Sequence, residues 1–533
     1  MSVYVRHTRH LRAGGGGEVL VVAATTPWRA SSQQPGRRLL TRCLHQQQQH
    51  VAVSRDADGT APKRLRLAVK DNIAVRGFPT TCASRILAGA EIPFDATVVT
   101  QLRQRGADVA AGGKAGMDEF GMGTHSTTSA FESVCNAPPL ERYSAGGSSG
   151  GSAVAVREGR ADVALGTDTG GSVRMPAAYT GTVGFKPSYG MLSRWGVVPY
   201  ANSLDTVGLL AGTVRPIREA IVGSGLYKEH DPRDPTSLSD ATRARCTAAR
   251  EGYDFSAEPA QTLEGLTFGL PLEYNIEELD PRIRQGWLQA LETIQRLGGR
   301  VIPVSLPSTK NALSAYYVIA PAEAASNLAK YDGIRYGYRD TSGPSDAQDG
   351  VLYARTRASG FGDEVKRRIL LGSYTLSSEA IDNYFIQAQK VRQLVRKDFD
   401  RIFKLENPLL DEQHFALSEM DESVGIESKL GPAQVDILVC PTAPTTPPLL
   451  EQVHNQTPLD SYMNDVFTVP ASLAGLPAIS IPTDIPVDPT SEEQKLLHFG
   501  GLQLIGQYWD DARVLSIAER LSGHISKSVT GNA

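Results

Sequence analysis

The sequence predicts an α/β protein in which a large central sheet is covered by helices. Short apolar runs alternate with amphipathic helical patterns along most of the chain, and this alternation is typical of layered α/β architectures. Hydrophobic residues make up 41% and charged residues 21% of the 533 residues, as expected for a globular protein with a sizeable core. Neither an internal repeat nor a strong linker interrupts the pattern. One large domain over residues 61–526 is therefore expected.

The elements of the first half follow from hydrophobic periodicity. Apolar residues alternate over residues 65–70, which predicts a strand with one apolar face that ends at Lys70. Because Lys70 points to the opposite face, other segments would have to exclude water from it. The next elements predicted are a helix, a strand, a second helix and a second strand, at residues 96–106, 107–111, 149–158 and 161–166.

The second half continues the alternation. A long helix is predicted at 381–403, with apolar residues repeating on one side. Residues 406–434 are acidic and irregular, and we interpret them as an inserted surface loop. Strands are predicted at 266–270, 301–304, 435–440 and 478–482, and further helices at 282–297 and 511–522, before a tail at 527–533.

The N-terminal segment, residues 1–60, differs from the rest. Its first 55 residues contain eight arginines, no lysine and one acidic residue, Glu18. Such an Arg-rich, acid-poor start is typical of a mitochondrial transit peptide. It predicts a protein of the mitochondrial matrix, although a disordered tail or a misassigned gene start has the same composition.

Composition argues against several classes of protein. The net charge of −4 does not favour a nucleic-acid binder, so any tRNA contact would need a local patch or a partner. The five cysteines are scattered, without a CxxC or Cys/His cluster, which indicates a reducing compartment and no structural zinc. No apolar run of about 18 residues occurs, so a membrane span is not expected.

Two glycine-rich stretches contain serines, Ser148 in residues 146–152 and Ser172 in residues 166–174. Glycine at this density allows positive φ angles or the close approach of a ligand to the main chain. A serine among bare N–H groups suits a nucleophile with its own oxyanion hole. A flexible Gly/Ser linker is the alternative, but closely flanking apolar runs argue against it.

A serine nucleophile needs a base within hydrogen-bonding reach. None of the ten histidines lies in these two stretches, and His125 is the nearest. A lysine can act as base only when it is neutral, so its pKa must fall from about 10.4, which burial can achieve. Lys70 is the candidate, whereas in isolation it would be interpreted as a solvated surface lysine.

Residues 70–210 resemble the amidase signature family, through Lys70, the two serines, their spacing and residues 168–174. The resemblance implies one α/β/α domain with a mixed central sheet. It also implies a catalytic unit in which Ser172 is the acyl-forming nucleophile, Ser148 the bridging serine in a cis peptide and Lys70 the base. The N–H groups that would form the oxyanion hole belong to Ser172 and to Thr169, Gly170 and Gly171.

The C-terminal half contains five further segments that carry a resemblance, residues 316–317, 324–328, 331–337, 360–369 and 464–468. They are similar to one branch of that family, the A subunits of glutamyl-tRNA(Gln) amidotransferases. The resemblance implies a glutamine amidase that releases ammonia for a partner B subunit. That partner would use ATP and Mg²⁺ to convert Glu-tRNA(Gln) into Gln-tRNA(Gln), with a small C subunit or an equivalent completing a heterotrimer. No cofactor or metal is implied for this chain itself, and tRNA would be held mainly by the B subunit.

A site for free glutamine needs a cation for the α-carboxylate and an anion for the α-ammonium group. Arg368 and Asp465 are the candidates, largely through the resemblance, with Tyr316 as a hydroxyl partner. The sequence leaves Arg367 and Tyr317 open as alternatives to their neighbours. It also leaves open that the arginines form a solvated helix face and that Asp465 caps a helix.

Two other classes of function remain at this stage. A stand-alone amidase for small or fatty amides would share the two serines and the lysine, but would have no reason to keep an Arg/Asp pair. A non-catalytic assembly scaffold would be expected to have lost one of the three catalytic residues, and all three are present.

Overall fold

The computed structural model describes residues 65–109, 113–250, 262–342, 352–410 and 434–526. The predictions for residues 1–60 and 527–533, and for most of the insertion at 406–434, lie outside these residues. Within them, the strands are β1 Leu65–Lys70, β2 Ala107–Asp108, β3 Lys114–Ala115, β4 Val163–Asp168, β5 Val183–Lys186, β6 Thr206–Ala211, β7 Thr267–Pro271, β8 Arg300–Val304, β9 Ile437–Pro441, β10 Ala478–Asp484 and β11 Phe499–Ile505.

All these strands form one sheet in the order β2-β1-β4-β6-β5-β10-β11-β9-β7-β8, with β3 beside β1. The pairing is mixed. Strand β1 is parallel to β2, β3 and β4, and β7 is parallel to β8 and β9. The strands between these two groups pair antiparallel. The predicted α/β fold class with a mixed sheet is confirmed.

Fifteen α-helices accompany the sheet in the described part of the chain. None of them is long and apolar enough to cross a membrane. They are α1 Thr97–Gln104, α2 Gly150–Arg157, α3 Arg174–Thr180, α4 Val214–Arg218, α5 Asp240–Ala248, α6 Pro281–Arg296, α7 Ala312–Leu328, α8 Ala354–Gly360, α9 Asp363–Thr375, α10 Phe385–Ile402, α11 Leu450–Asn455, α12 Pro458–Met463, α13 Val469–Ala474, α14 Glu492–Leu496 and α15 Asp511–Ile525.

The two faces of β1 contribute to different hydrophobic clusters. Leu67 and Val69 belong to the main core, whereas Ala68 packs in a smaller cluster with residues of α2 and α3. Side chains two residues apart on a strand share a face, so Lys70 lies on the same face as Ala68. The strand therefore directs Lys70 towards the helices that follow the two glycine-rich serine loops.

Most of the predicted elements are present, with shifted ends, and two differences are informative. The long helix predicted from 381 begins at Phe385, because the residues before it form separate turns such as Tyr384 N–H to Ala380 O at 3.0 Å. The central strand β11 was not predicted, since Gly500 and Gly501 interrupt its apolar pattern. A Cβ atom on Gly501 would lie 2.4 Å from the Cβ of Ala178, so glycine is needed where α3 crosses this strand.

A buried ion pair fixes the second serine loop to the sheet. Arg174 and Asp168 are both fully buried and are joined by bonds of 2.8 Å (Nη2–Oδ1) and 3.0 Å (Nε–Oδ2). Arg174 also donates to the carbonyl of Thr468 at 2.9 Å and to the side chains of Gln503 and Ser472 at 2.7 and 2.8 Å. Burial alone would raise the pKa of Asp168, but the charge and hydrogen bonds of Arg174, together with the Lys186 charge and the Val173 N–H, outweigh it and hold that pKa below its ordinary value.

Removal of Arg174 should destabilise the protein strongly. Arg174→Met leaves Asp168 buried without its counter-charge, and breaking a buried pair in this way costs about 3–5 kcal/mol. The free energy of unfolding, measured in urea, should fall by that amount. The control is Lys495→Ala, which breaks an exposed pair with Glu492 and should change stability by less than about 1 kcal/mol. Equal effects of the two substitutions would contradict the structural role of Arg174.

Candidate active site

Lys70 lies at the centre of the site, at the end of β1. Its side chain is fully buried, so the solvated-surface alternative is wrong. The ammonium nitrogen lies 2.7 Å from Ser148 Oγ, 2.8 Å from Ser149 Oγ and 3.3 Å from the carbonyl oxygen of Thr167. The segments that exclude water from Lys70 are thus the first serine loop and the end of β4.

Burial lowers the pKa of Lys70 to about 7, against the opposing effect of the buried carboxylates Asp118, Asp168 and Asp205. A large fraction of the side chain is therefore neutral near neutral pH. A neutral amine has two N–H groups and one lone pair. With the N–H groups directed at Thr167 O and Ser149 Oγ, the lone pair faces the Ser148 hydroxyl, which is the arrangement a base needs.

The first serine loop is fixed by hydrogen bonds from several segments. The Gly147–Ser148 peptide bond is cis. Ser126 Oγ donates to the carbonyl of Gly146 at 2.8 Å and accepts from the N–H of Gly150 at 3.1 Å. The N–H of Ser149 donates to the carbonyl of Ser172 at 3.1 Å, so the two loops are directly joined.

The second serine loop has the features of an anion site. Within the described residues, the backbone N–H groups of Thr169, Gly170, Gly171 and Ser172 donate no hydrogen bond to protein. Gly171 has a φ of 147°, and a Cβ atom there would lie 2.3 Å from Thr468 Oγ1. Unlike the fully buried Lys70 and Ser148, Ser172 is partly exposed. Its hydroxyl is therefore the one of the three groups that a substrate can reach.

Arg368 lies on the buried side of α9, whereas Arg367 lies on the half-exposed side. The Arg368 guanidinium packs at 5.3–5.7 Å from the ring centroids of Tyr200, Tyr317 and Tyr462. Its Nη1 donates to the hydroxyl of Tyr200 at 2.6 Å. The solvated-face alternative thus applies to Arg367 and not to Arg368.

Asp465 is buried close to this arginine. Its carboxylate accepts from the hydroxyl of Tyr317 at 2.8 Å. The bonds to the N–H groups of Thr468 and Val469 use the Asp465 carbonyl and not its side chain, so the carboxylate is not a helix cap. Burial raises the pKa of Asp465 to about 7, although the Tyr317 hydrogen bond and the Arg368 charge act in the opposite direction.

The two adjacent tyrosines of α7, Tyr316 and Tyr317, make different contacts in the structure. Tyr317 bonds to Asp465, whereas Tyr316 packs against the second serine loop, where a Cβ atom on Gly170 would lie 2.6 Å from the Tyr316 ring. Thr468 joins the two regions, because its hydroxyl donates to the carbonyl of Gly170 at 2.6 Å and lies 3.1 Å from that of Asp465. The serines, Arg368 and Asp465 therefore lie in one connected site.

Sequence reasoning missed Ser149 and Thr468 as residues of this site, and it named Tyr317 only as an alternative to Tyr316. Ser149 could have been suspected, because it follows Ser148 in the same glycine-rich stretch. The positions of Tyr317 and Thr468 had no local signal, since their partners lie more than 140 residues away in the chain.

Comparison with known proteins agrees with this geometry. A profile of the Amidase family matches residues 65–515. The chain is 61% identical to the A subunit of the mitochondrial glutamyl-tRNA(Gln) amidotransferase of Podospora anserina, covering 87% of this chain and 90% of that protein. It is 57% identical to the mitochondrial protein of the same name from Neurospora crassa, covering 91% and 94%.

Solved structures give the same result. The crystal structure of the A subunit of glutamyl-tRNA(Gln) amidotransferase from Thermotoga maritima matches with a TM-score of 0.64 and 35% identity, covering 86% of this chain and 83% of that one. The predicted mitochondrial location is confirmed by the fungal relatives, which are mitochondrial proteins. The chain belongs to the Amidase family and, within it, to the A subunits of glutamyl-tRNA(Gln) amidotransferases.

Proposed function

We propose that this chain hydrolyses glutamine to glutamate and ammonia through Ser172, Ser148 and Lys70, and that the ammonia is used by a partner protein. The observation that carries the choice of substrate is the buried pair of Arg368 and Asp465. Arg368 packs on the ring of Tyr317 and Asp465 accepts from its hydroxyl, so one tyrosine contacts both a cation and an anion. Opposite charges held apart in this way suit the two charged groups of an α-amino acid.

The proposed reaction follows from the two groups that can accept a proton in turn, the Ser148 oxygen and neutral Lys70. As the Ser172 oxygen attacks the amide carbon, its proton passes to the Ser148 oxygen while the Ser148 proton passes to neutral Lys70. The N–H groups of residues 169–172 stabilise the negative charge on the carbonyl oxygen. Return of the proton along the same path to the amide nitrogen releases ammonia and leaves an acyl ester on Ser172. Water then hydrolyses this ester to glutamate.

The inference that a partner protein receives the ammonia rests on the family to which the chain belongs. Relatives of this chain are named as subunits of an amidotransferase for glutamyl-tRNA(Gln). We infer that a B subunit uses ATP and Mg²⁺ to activate the tRNA-bound glutamate and receives the ammonia, and that a small third subunit or its equivalent completes the complex. Copurification of the chain with its partners, followed by an assay of glutamine-dependent amidation, tests this assembly.

Substitution of the three catalytic residues tests the mechanism. Ser172→Ala should lower glutaminase turnover by about 10⁴-fold or more. Lys70→Ala and Ser148→Ala should each lower it strongly, and their double variant should be little worse than the poorer single variant, because the two residues act as a unit. Steady-state ammonia release measures these effects. Ser152→Ala is the control, since that hydroxyl bonds to the carbonyl of Leu165. Multiplicative effects of Lys70→Ala and Ser148→Ala would contradict the relay.

The pH dependence should differ between glutamine and a neutral primary amide. Lys70 must lose its proton to act as base and Asp465 must lose its proton to bind ammonium, and burial sets both pKa values at about 7. Below pH 7, log kcat/KM for glutamine should therefore fall with a slope of about 2 as the pH decreases, and for the neutral amide with a slope of about 1. Asp465→Asn should reduce the glutamine slope to about 1. Identical slopes for the two substrates would rule out a role for Asp465.

Substrate choice should depend on Arg368 and Asp465. Arg368→Ala or Asp465→Ala leaves one charge of glutamine unpaired, which costs about 2–5 kcal/mol of binding. Neither change touches Lys70, Ser148 or Ser172. The ratio of glutamine to neutral-amide turnover should thus fall sharply in both variants. An unchanged ratio would mean that both residues are structural, as expected of a stand-alone amidase.

A further inference from the structure

Glu364 contacts the glutamine site without being placed to touch the substrate. It lies in the first turn of α9, one helical turn before Arg368, and its side chain is 12% exposed. Its Oε1 accepts a hydrogen bond from Arg368 Nε at 2.7 Å. Bonding at Nε fixes the plane of the guanidinium. Nη1 donates to the Tyr200 hydroxyl, whereas Nη2 donates no hydrogen bond to the described residues and can bind a carboxylate.

The same oxygen of Glu364 holds a second element. Oε1 also accepts a hydrogen bond from the hydroxyl of Tyr462, on α12, at 2.8 Å. The Tyr462 ring stacks on Tyr317 with a centroid distance of 3.9 Å, and Asp465 follows three residues later in the chain. One carboxylate oxygen thus links the helix that carries Arg368 to the segment that carries Asp465.

These contacts form a closed ring. Glu364 binds Arg368, Arg368 packs on Tyr317, Tyr317 donates to Asp465, and the chain from Asp465 leads back through Tyr462 to Glu364. Arg368 also packs directly on the Tyr462 ring at 5.3 Å, but among the described side chains of α9 only Glu364 joins Arg368 to α12 by hydrogen bonds. Arg367 bonds to the other oxygen of Glu364 and lies half-exposed. The Glu364 side chain therefore contributes directed bonds to the relative placement of the cation and the anion.

We propose that Glu364 is a positioning residue for substrate recognition, which sets the spacing of Arg368 and Asp465 to that of the α-carboxylate and α-ammonium groups of a free amino acid. This role rests on the proposed glutaminase function. Glu364 neither accepts a proton nor binds glutamine. It orients the two groups that do, through Arg368 Nε and the Tyr462 hydroxyl.

The test compares Tyr462→Phe, Glu364→Gln and their double variant in the full chain purified with its partners. Tyr462→Phe keeps the stacked ring and removes only the hydroxyl, and Glu364→Gln keeps the shape and removes the charge. Each should raise KM for glutamine about tenfold, the effect of losing one hydrogen bond to a charged group. The kcat for glutamine and the turnover of a neutral primary amide should change by less than about twofold, since the catalytic residues are untouched. The double variant should resemble the single variants, because both break the same link.

Lys366→Ala is the matched control on the same helix, since it removes an exposed pair with Asp363 and should leave both substrates unaffected. Unchanged KM for glutamine in Tyr462→Phe and Glu364→Gln would overturn the proposal. So would equal losses on glutamine and the neutral amide, which would indicate a general structural role. If Glu364→Gln does not fold, Tyr462→Phe alone decides. The proposed function is tested separately. It is contradicted if the unmodified complex shows no glutaminase activity, or if Ser172→Ala does not abolish that activity.

Discussion

The active site depends on the guanidinium of Arg174. Its five hydrogen bonds reach Asp168 at the end of β4, Gln503 on β11, and Thr468 and Ser472 in and before α13. An arginine has five N–H donors, so every donor of this fully buried side chain has a hydrogen-bond partner. The loop that carries Ser172 runs between Asp168 and Arg174, and both of its ends are therefore held to the sheet. Thr468, held by the same arginine, then supports Gly170 and the Asp465 segment.

A second constraint is electrostatic. In the proposed mechanism Lys70 must be neutral, although Asp118, Asp168 and Asp205 lie close enough to favour its charged form. Each carboxylate is itself held by protein groups: Asp168 by Arg174, Asp118 by the N–H groups of Ser126 and Thr128, and Asp205 by those of Tyr200 and Ala201. The pKa of about 7 for Lys70 results from strong desolvation opposed by these three negative charges. In the proposed mechanism, removal of water from the lysine is thus as important as the serines themselves.

Much of this could be predicted from sequence, for identifiable reasons. The bounds of β1 follow from a regular period of two, and the serine loops follow from glycines that a packed turn requires. The choice between Arg367 and Arg368 could not be made from sequence. The apolar Leu370 and Leu371 are exposed, whereas Arg368 is buried on the face that includes Val365, Gly372 and Thr375. The pairings of Tyr317 with Asp465 and of Glu364 with Tyr462 could not be predicted, since they join elements about 100 residues or more apart and depend on packing rather than on local pattern.

The groups proposed for catalysis and those proposed for substrate recognition occupy separate parts of the chain. Lys70, Ser148 and Ser172 all precede Arg174, whereas Arg368 and Asp465, with the tyrosines of α7 and α12, follow residue 311. Hydrolytic chemistry and substrate choice are thus encoded by different stretches of the gene. Divergence in the later stretch can change which amide is accepted while the reactive serine, its relay and its base stay intact. This division gives the fold a route by which new substrate preferences can evolve without a loss of reactivity on the way.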